Sequence, residues 1–192
     1  PGGLGYVPAA LAAFGLVPDY GTRSSTGARF VDTAGSTHLG LGFKVLEMDP
    51  GAWREITFTG DRVRIWYGVQ GFVNAGAVVN IDGTDVATIE TGYNGTNSTG
   101  NLWDSGPLAR GSHTIRVTSA TTGTDKFYLE AFEAFDGDYE SGVHVYDATH
   151  TGAMLWGLLG SWGWPQMMDA VGRVAPHLVV MECMINDRIW RT

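Results

Sequence analysis

The sequence predicts a mixed fold, in which an antiparallel β-sandwich at residues 28–138 is inserted into a partial α/β domain. Two observations support this prediction. From about residue 28 to residue 135, short stretches of alternating apolar and polar residues are separated by turn signals, as is typical of sandwiches. From about residue 140 onward, a strand, a helix and a second, continuously apolar strand indicate an α/β unit. We therefore expect the flanking segments, 1–27 and 139–192, to form the α/β domain together.

The first half of the chain contains three local signals. Residues 1–20 are rich in Gly, Pro and Ala and have no clean period, so we predict a loop with at most a short helix. In residues 53–69, WREITFTGDRVRIWYGV, two alternating runs flank a turn at Thr59–Asp61. Asp82-Gly83 separates two further alternating runs and is a strong hairpin signal.

The last predicted strands of the sandwich follow a polar loop at residues 92–101, GYNGTNSTGN. In residues 111–119, GSHTIRVTS, alternation separates two faces. His113, Ile115 and Val117 share one face, and Thr114 and Arg116 share the other. The run at residues 124–135, TDKFYLEAFEAF, is predicted to complete the sandwich.

The C-terminal pattern predicts a strand, a helix and a buried strand. The helix is best defined in residues 164–176, where Pro165 suits the first turn and Pro176 ends the pattern. An earlier candidate helix at residues 152–162 is weakened by its glycines. The apolar run at residues 177–184, HLVVMECM, predicts a parallel strand that is buried on both faces.

Composition and charge limit the function classes. The 192 residues are 44% hydrophobic and only 17% charged, which is typical of a globular chain. The net charge of −8 and the lack of a basic stripe lead us to expect no nucleic-acid partner. No apolar run is long enough to predict a membrane span. The abundant glycines and aromatic residues favour a turn-rich β structure.

The residue types that usually bind metals or form disulfides give weak signals here. Cys183 is the one cysteine, so no internal disulfide is expected, and we interpret it as a small buried hydrophobe. The histidines lack metal-ligand spacing, and we expect no metal or other cofactor. Acidic residues at 136–140 could hold calcium through oxygen ligands, but we favour a solvated loop.

Two polar loops follow the predicted α/β strands, at Asp147–Gly152 and Ile185–Arg188. Ligands of α/β sheets bind beyond the carboxyl ends of strands, so both loops are expected at one edge. There the Asn186 amide and the backbone N–H of Gly152 could stabilise an oxyanion. The alternative is that Asn186 and Asp187 form an Asx-turn, and spacing alone favours this alternative.

The stretch PHLVVMECMINDR, residues 176–188, resembles the third conserved block of the SGNH or GDSL-type hydrolases, P-D-x-V-x-x-x-x-G-x-N-D. Four positions match and two depart from this pattern. Pro176, Val179, Asn186 and Asp187 match, whereas His177 and Met184 stand where Asp and Gly are usual. The segment around Gly152 looks like the family's second block. The resemblance implies that Gly152 and Asn186 form the oxyanion hole of a flavodoxin-like esterase domain.

Other segments extend this resemblance over nearly the whole chain. VNIDG and GPLARGSHTIRV look like the galactose-binding-like jelly rolls that accompany such esterases. GGLGYVPA at the start resembles a segment of phage tail and actinobacterial esterases. The resemblance implies a serine esterase or deacetylase that acts on acyl esters of a polysaccharide or cell envelope, outside the cell or on a virion.

The departures from the family imply that the chain is a fragment. No Gly-Asp-Ser nucleophile block occurs, and no D-x-x-H block follows the third block. Because Pro1 is not a methionine, we expect a processed or truncated chain that lacks both blocks. Asp147 and His150 form a literal D-x-x-H and are catalytic candidates only if the triad is circularly permuted; since the motif precedes the third block, we favour a chance occurrence. His150 is therefore expected either to line the cleft or to lie in a solvent-facing loop.

The alternative function is a non-catalytic module that binds carbohydrate or serves as a structural part of a phage tail or surface assembly. Aromatic side chains could stack on sugar rings, although in sandwiches they more often belong to the core. The candidates are Trp53, Trp66, Tyr93 and Trp103. Tyr93 and Trp103 are the preferred candidates, because they lie among Gly, Asn and Ser.

Overall fold

The computed structural model describes residues 5–8, 21–23, 26–31, 45–71, 75–92, 95–137 and 171–179. Within these ranges the chain forms short and medium strands. They are β1 (Gly5–Pro8), β2 (Gly21–Arg23), β3 (Ala28–Val31), β4 (Val45–Met48), β5 (Trp53–Gly60), β6 (Arg62–Val69), β7 (Gly76–Ile81), β8 (Thr84–Glu90), β9 (Ser98–Asp104), β10 (Gly111–Ser119) and β11 (Phe127–Phe135).

These strands form two antiparallel sheets. The six-stranded sheet has the order β3-β4-β11-β6-β9, with β1 also beside β11. The five-stranded sheet has the order β2-β5-β10-β7-β8. Apolar side chains from both sheets, including Ile56, Ile115, Leu129 and Phe132, form one buried core between them. The predicted antiparallel sandwich is therefore confirmed.

The corner between β5 and β6 passes the chain from one sheet to the other. β5 pairs within the five-stranded sheet, whereas β6 pairs within the six-stranded sheet. At the corner, the Asp61 N–H donates to the Phe135 carbonyl oxygen over 2.9 Å. A Cβ atom on Gly60 would collide with that carbonyl group. Gly60 is thus required because the two backbones approach closely here.

The β7–β8 hairpin has the predicted turn at Asp82-Gly83. Both residues are left-handed, with φ of 52° and 83°, as a type I′ turn requires. The Asn80 side chain accepts a hydrogen bond from the Gly83 N–H and donates one to the Asp85 carboxylate. This asparagine therefore orders the hairpin from within β7.

In the described N-terminal residues, β1 differs from the loop predicted for residues 1–20, and β2 lies just after that stretch. β1 pairs with β11, and β2 pairs with β5, so both join sheets of the sandwich. Each strand satisfies backbone groups at the side of a longer strand that would otherwise lack partners. Strands of three or four residues are too short to show an alternating pattern, which explains the difference from the prediction.

The described C-terminal residues agree with the predicted helix end and depart from the predicted buried strand. Residues 171–174 are helical, and the Ala175 N–H donates to the Val171 carbonyl just before Pro176. His177–Val179 form no strand, and Leu178 and Val179 are 77% and 58% exposed. The strand prediction is wrong for these residues, because an apolar run is buried only where a neighbouring strand or layer covers it. The remaining predicted α/β residues lie outside the described ranges.

The helical residues contact the outer face of the six-stranded sheet. Val171 and Val174 pack against Trp66 and Ala131. Ala131 is also the residue that pairs with Pro8 of β1. Ala131 of β11 is therefore next to β1 of the N-terminal flank and to the helical residues of the C-terminal flank.

Candidate functional site

The two outer faces of the sandwich differ in exposure. On the six-stranded sheet, Trp66, Glu130 and Glu133 are only 5%, 2% and 0% exposed. On the five-stranded sheet, by contrast, outward residues such as Thr57 and Arg116 are exposed. An antiparallel sheet commonly packs one face on the core and leaves the other open. The outer face of the five-stranded sheet is thus the larger accessible candidate surface among the described residues.

A row of polar side chains crosses four strands of this open face. Strand register places Glu55 beside Arg116, Arg116 beside Asn80, and Asn80 beside Asp85. The Arg116 Nε donates to Glu55 Oε2 over 2.7 Å, and the Asn80 amide donates to Asp85 Oδ1 over 2.8 Å. Cross-strand hydrogen bonds therefore hold a guanidinium, an amide and two carboxylates in fixed positions.

An aromatic side chain adjoins this row at the start of β5. Trp53 is half-buried, and the Arg116 guanidinium lies 4.4 Å from the centroid of its ring. This cation–π contact restricts the positions of both side chains. Arg116 keeps 44% of its side chain exposed, so its donors stay accessible. The indole and the polar row together combine an apolar surface with hydrogen-bonding groups.

Two threonines continue the surface towards the β7–β8 turn. Thr57 and Thr114 face each other across β5 and β10, with their hydroxyl oxygens 3.4 Å apart. Their hydroxyls can each donate or accept a hydrogen bond. We call the whole set the Trp53 face. Its members are Trp53, Glu55, Thr57, Asn80, Asp85, Thr114 and Arg116.

His113 lies at the edge of the Trp53 face, on the inward side of β10. Its Nδ1 lies 2.6 Å from Asp82 Oδ2, and its Nε2 lies 2.6 Å from the Ala109 carbonyl oxygen. The hydrogen bond with Asp82, followed by that with Ala109, raises the pKa of His113 above its ordinary 6.5. The hydrogen bonds from His113 and from the Thr114 N–H lower the pKa of Asp82. This pair joins the hairpin turn to the loop before β10.

A second charged cluster lies on the outer face of the six-stranded sheet. Asp104 accepts hydrogen bonds from Arg62, Arg64 and the Gly106 N–H, each over 2.8 Å. Burial raises the pKa of Asp104, but the arginine hydrogen bonds outweigh burial and lower the pKa to about 2. The cluster ties β9 to β6 and has the character of a structural cross-strand contact.

The structure places the predicted sugar-stacking aromatics in different environments. Trp103 is partly buried in β9 and packs against the sandwich core. Trp66 is buried, and its Nε1 donates to Glu133 Oε2 over 3.2 Å. Trp53 lies at the open face, and Tyr93 lies outside the described residues. Trp103 and Tyr93 remain predicted ligand residues, whereas Trp53 is the one that the structure joins to a polar row.

The residues of the predicted oxyanion hole and D-x-x-H lie outside the described ranges. These residues, which remain predictions, are Asp147, His150, Gly152 and Asn186. Of the predicted acidic calcium loop, Asp136 is bound by Arg110 through two hydrogen bonds of 2.6 and 2.9 Å. Among the described residues, no group of three His, Cys, Asp or Glu side chains could hold a metal ion. The same part of the chain contains no helix with the length and apolar character to cross a membrane.

Sequence reasoning did not identify the Trp53 face as a unit. Alternation did show that Arg116 and Thr114 share the outward side of β10. The missing information was the register, which places Glu55 on one side of Arg116 and Asn80 on the other. Register depends on pairing between strands that are far apart in the sequence, so no local pattern contained it.

No protein-family model and no curated protein matches the chain. Similar solved structures include the Agl-KA catalytic domain, with 16% identity and a TM-score of 0.46. The match covers 62% of this chain and 27% of that domain. A family 35 carbohydrate binding module from Clostridium thermocellum has 15% identity and a TM-score of 0.46, covering 69% of this chain and 98% of the module. A family two carbohydrate esterase from Cellvibrio japonicus has 12% identity and a TM-score of 0.40, covering 60% of this chain and 34% of the esterase. The sandwich architecture therefore rests on the strand pairing described above.

Proposed function

We propose that the sandwich is a non-catalytic module that binds carbohydrate on the Trp53 face. The observation that carries this proposal is the combination of a half-buried indole on the open face with a polar row held by cross-strand hydrogen bonds. Sugars present hydroxyl groups around apolar C–H surfaces, and this face offers partners for both. The Trp53 ring supplies apolar contact, while Arg116 donates and Glu55 and Asp85 accept.

Fixed side chains favour binding because they lose little conformational freedom when a ligand arrives. Arg116 is held by Glu55 and by the Trp53 ring, and Asn80 is held by Asp85 and the Gly83 N–H. Immobilising a flexible side chain on binding costs about 0.5–1.5 kcal/mol. Pre-existing contacts remove part of this cost for the groups that would contact a sugar.

The charges of the Trp53 face favour a neutral glycan over an acidic one. Glu55 and Asp85 contribute two carboxylates, whereas Arg116 contributes one guanidinium that is already bound to Glu55. An anionic polysaccharide would place its own carboxylates near these acids, and like charges repel. We therefore expect weaker binding to polyuronates than to neutral polysaccharides.

The proposal is tested by screening the chain against immobilised neutral and acidic glycans, followed by calorimetric titration of the best neutral oligosaccharide. Replacing Trp53 by alanine is expected to weaken binding at least about tenfold, because a central aromatic contact is commonly worth more than 1.4 kcal/mol. Leu102→Ala is the matched control, since Leu102 is an exposed apolar residue on the other sheet. Unchanged affinity in Trp53→Ala, or a loss in Leu102→Ala instead, would remove the Trp53 face from the proposal.

A second candidate function is an SGNH-type esterase that carries this sandwich as an insert. The resemblance at Asn186 motivates it, and one structural observation favours it. β2 of the N-terminal flank pairs with β5, but β1 and residues 171–174 both adjoin Ala131 of the six-stranded sheet, away from the Trp53 face. A flanking domain attached there would leave the binding face open. Such a protein, acting on a cell-envelope polysaccharide, would work outside the cell or on a virion.

The esterase candidate is tested by measuring hydrolysis of a chromogenic acetate by the parent protein, with Asn186→Ala as the variant. We expect slower turnover in the variant, because the amide would no longer stabilise the oxyanion. Equal turnover in both proteins would exclude Asn186 from the site.

A further inference from the structure

The His113 ring is held between two oxygen acceptors. Its Nδ1 lies 2.6 Å from the Asp82 carboxylate, and its Nε2 lies 2.6 Å from the Ala109 carbonyl oxygen. A neutral imidazole carries one N–H, so it can donate to only one of these oxygens. The other nitrogen would then point its lone pair at an acceptor. The geometry therefore fits the doubly protonated imidazolium, which donates to both.

Asp82 connects His113 to Thr114 of the Trp53 face through hydrogen bonds. While Oδ2 contacts His113, Asp82 Oδ1 accepts a hydrogen bond from the Thr114 N–H over 2.8 Å. The Asp82 N–H in turn donates to the Thr114 carbonyl oxygen over 2.9 Å. Thr114 presents its hydroxyl on the Trp53 face beside Thr57. The same hairpin also carries Asn80 and Asp85, the far end of the polar row.

We propose that protonated His113 is a pH-sensitive latch, which orders the β7–β8 turn and Thr114 and thereby strengthens ligand binding on the Trp53 face. The binding part of this proposal rests on the proposed carbohydrate-binding function. When His113 loses its proton, one of its two contacts is lost. The turn and Thr114 then become less ordered, and a ligand must supply the ordering free energy on binding.

The groups around His113 are consistent with a single dominant charge partner. Asp82 faces it from the hairpin turn, and the uncharged Phe58 ring lies 5.5 Å away on β5. Arg110 belongs to the same loop as Ala109, but its guanidinium is bound to Asp136 through two hydrogen bonds. The His113 side chain is 11% exposed, whereas its partner Asp82 is 49% exposed, so solvent and salt partly screen this contact.

The pH range of the latch follows from the directions of the two pKa shifts. Because the folded protein raises the pKa of His113, the stabilising contact is complete below pH 6.5 and is lost as the pH rises through the raised value. The contact also needs Asp82 to be ionised. Because the pKa of Asp82 is lowered below 3.8, the contact is lost in acid only as the pH falls through that lowered value. The latch is thus closed in mildly acidic solution and opens as the pH rises through the raised pKa of His113.

The test combines NMR titration of His113 with amide hydrogen exchange at Asp82 and Thr114, in the wild-type chain and in His113→Gln. We expect a His113 midpoint above 6.5 and, at both amides, protection relative to the intrinsic exchange rate at each pH that falls as the ring deprotonates. The glutamine variant should show low protection of both amides at every pH. A midpoint at or below 6.5, or equal exchange profiles in the two proteins, would overturn the latch.

The link to binding is tested with a panel of cello-, galacto- and malto-oligosaccharides. By reciprocity, a ligand that prefers the closed latch must raise the pKa of His113 when it binds, and its affinity must fall as the pH rises. Each unit of that rise in pKa corresponds to about a tenfold difference in affinity between the two protonation states. In His113→Gln this pH dependence should vanish. An oligosaccharide that binds with the same pH dependence to both proteins would disprove the link, whereas failure of every oligosaccharide to bind would refute the proposed function and leave the latch to be judged by exchange.

Discussion

Replacing Gly60 by alanine is expected to destabilise the sandwich by about 3 kcal/mol or more. The new Cβ would collide with the backbone carbonyl of Phe135, which accepts the Asp61 hydrogen bond at the corner between the sheets. Backbone atoms cannot move aside as a flexible side chain can, so the corner itself must shift. Chemical denaturation monitored by tryptophan fluorescence measures the change.

Gly111 provides a matched control for Gly60. The two glycines are register partners on β10 and β5, but a Cβ on Gly111 would meet no atom within 4 Å. Alanine is compatible with the backbone there and restricts the unfolded chain, so Gly111→Ala should change stability by at most about 1 kcal/mol. Equal losses in the two variants would show that the close approach at the corner does not determine the need for Gly60.

Replacing Phe132 by alanine is expected to destabilise the protein by about 3–5 kcal/mol. Phe132 is 1% exposed and lies in the central strand β11, where it belongs to the core between the sheets. The substitution removes a large apolar side chain and leaves a cavity that its neighbours in two sheets cannot fill completely. Urea unfolding of the variant, with the exposed Val86→Ala as control, measures the cost. A loss below about 1 kcal/mol would contradict the described core.

The adjacent residue tests the opposite face of the same strand. Glu133 is fully buried, accepts a hydrogen bond from Trp66 and lies 3.8 Å from Arg64. Replacing an exposed surface glutamate by alanine usually changes the free energy of unfolding by about 0.5 kcal/mol or less. Because Glu133 is buried, replacing it leaves the Trp66 N–H without this acceptor. We therefore expect Glu133→Ala to lower the free energy of unfolding by about 1–3 kcal/mol. A small change in Glu133→Ala would show that this face is open to water in solution.

Local patterns were sufficient where neighbouring residues determine the structure. Asp82 and Gly83 adopt left-handed φ angles readily, so the hairpin between β7 and β8 followed directly from the sequence. Alternation in β10 likewise placed Ile115 and Val117 on one face, and the structure buries both in the core. Pro176 ended the predicted helix within two residues of the observed end at Val174, because proline disfavours helical backbone in the residue before it and Ala175 has a left-handed φ of 48°.

Other features depend on contacts between distant segments, and local patterns missed them. β1 and β2 are too short to be recognised alone, and their pairing with β11 and β5 defines them. Leu178 and Val179 resemble a buried strand in sequence, yet they are exposed. Glu130 and Glu133 are buried although acidic residues usually face water, because the Gly100 N–H and the Trp66 Nε1–H donate hydrogen bonds to them.

The sequence by itself therefore determined an antiparallel sandwich, its hairpin turn and the inward face of its strands, since these depend on residue conformation and on a period of two. The sequence also contains Trp53, Glu55, Asn80 and Arg116, but no local pattern indicates that these residues lie close together. Only the tertiary structure decided that β5, β10, β7 and β8 are neighbours and that these side chains form one face. The physical reason is that strand register is set by packing of the whole core, and a shift of one residue would turn every one of these side chains inward.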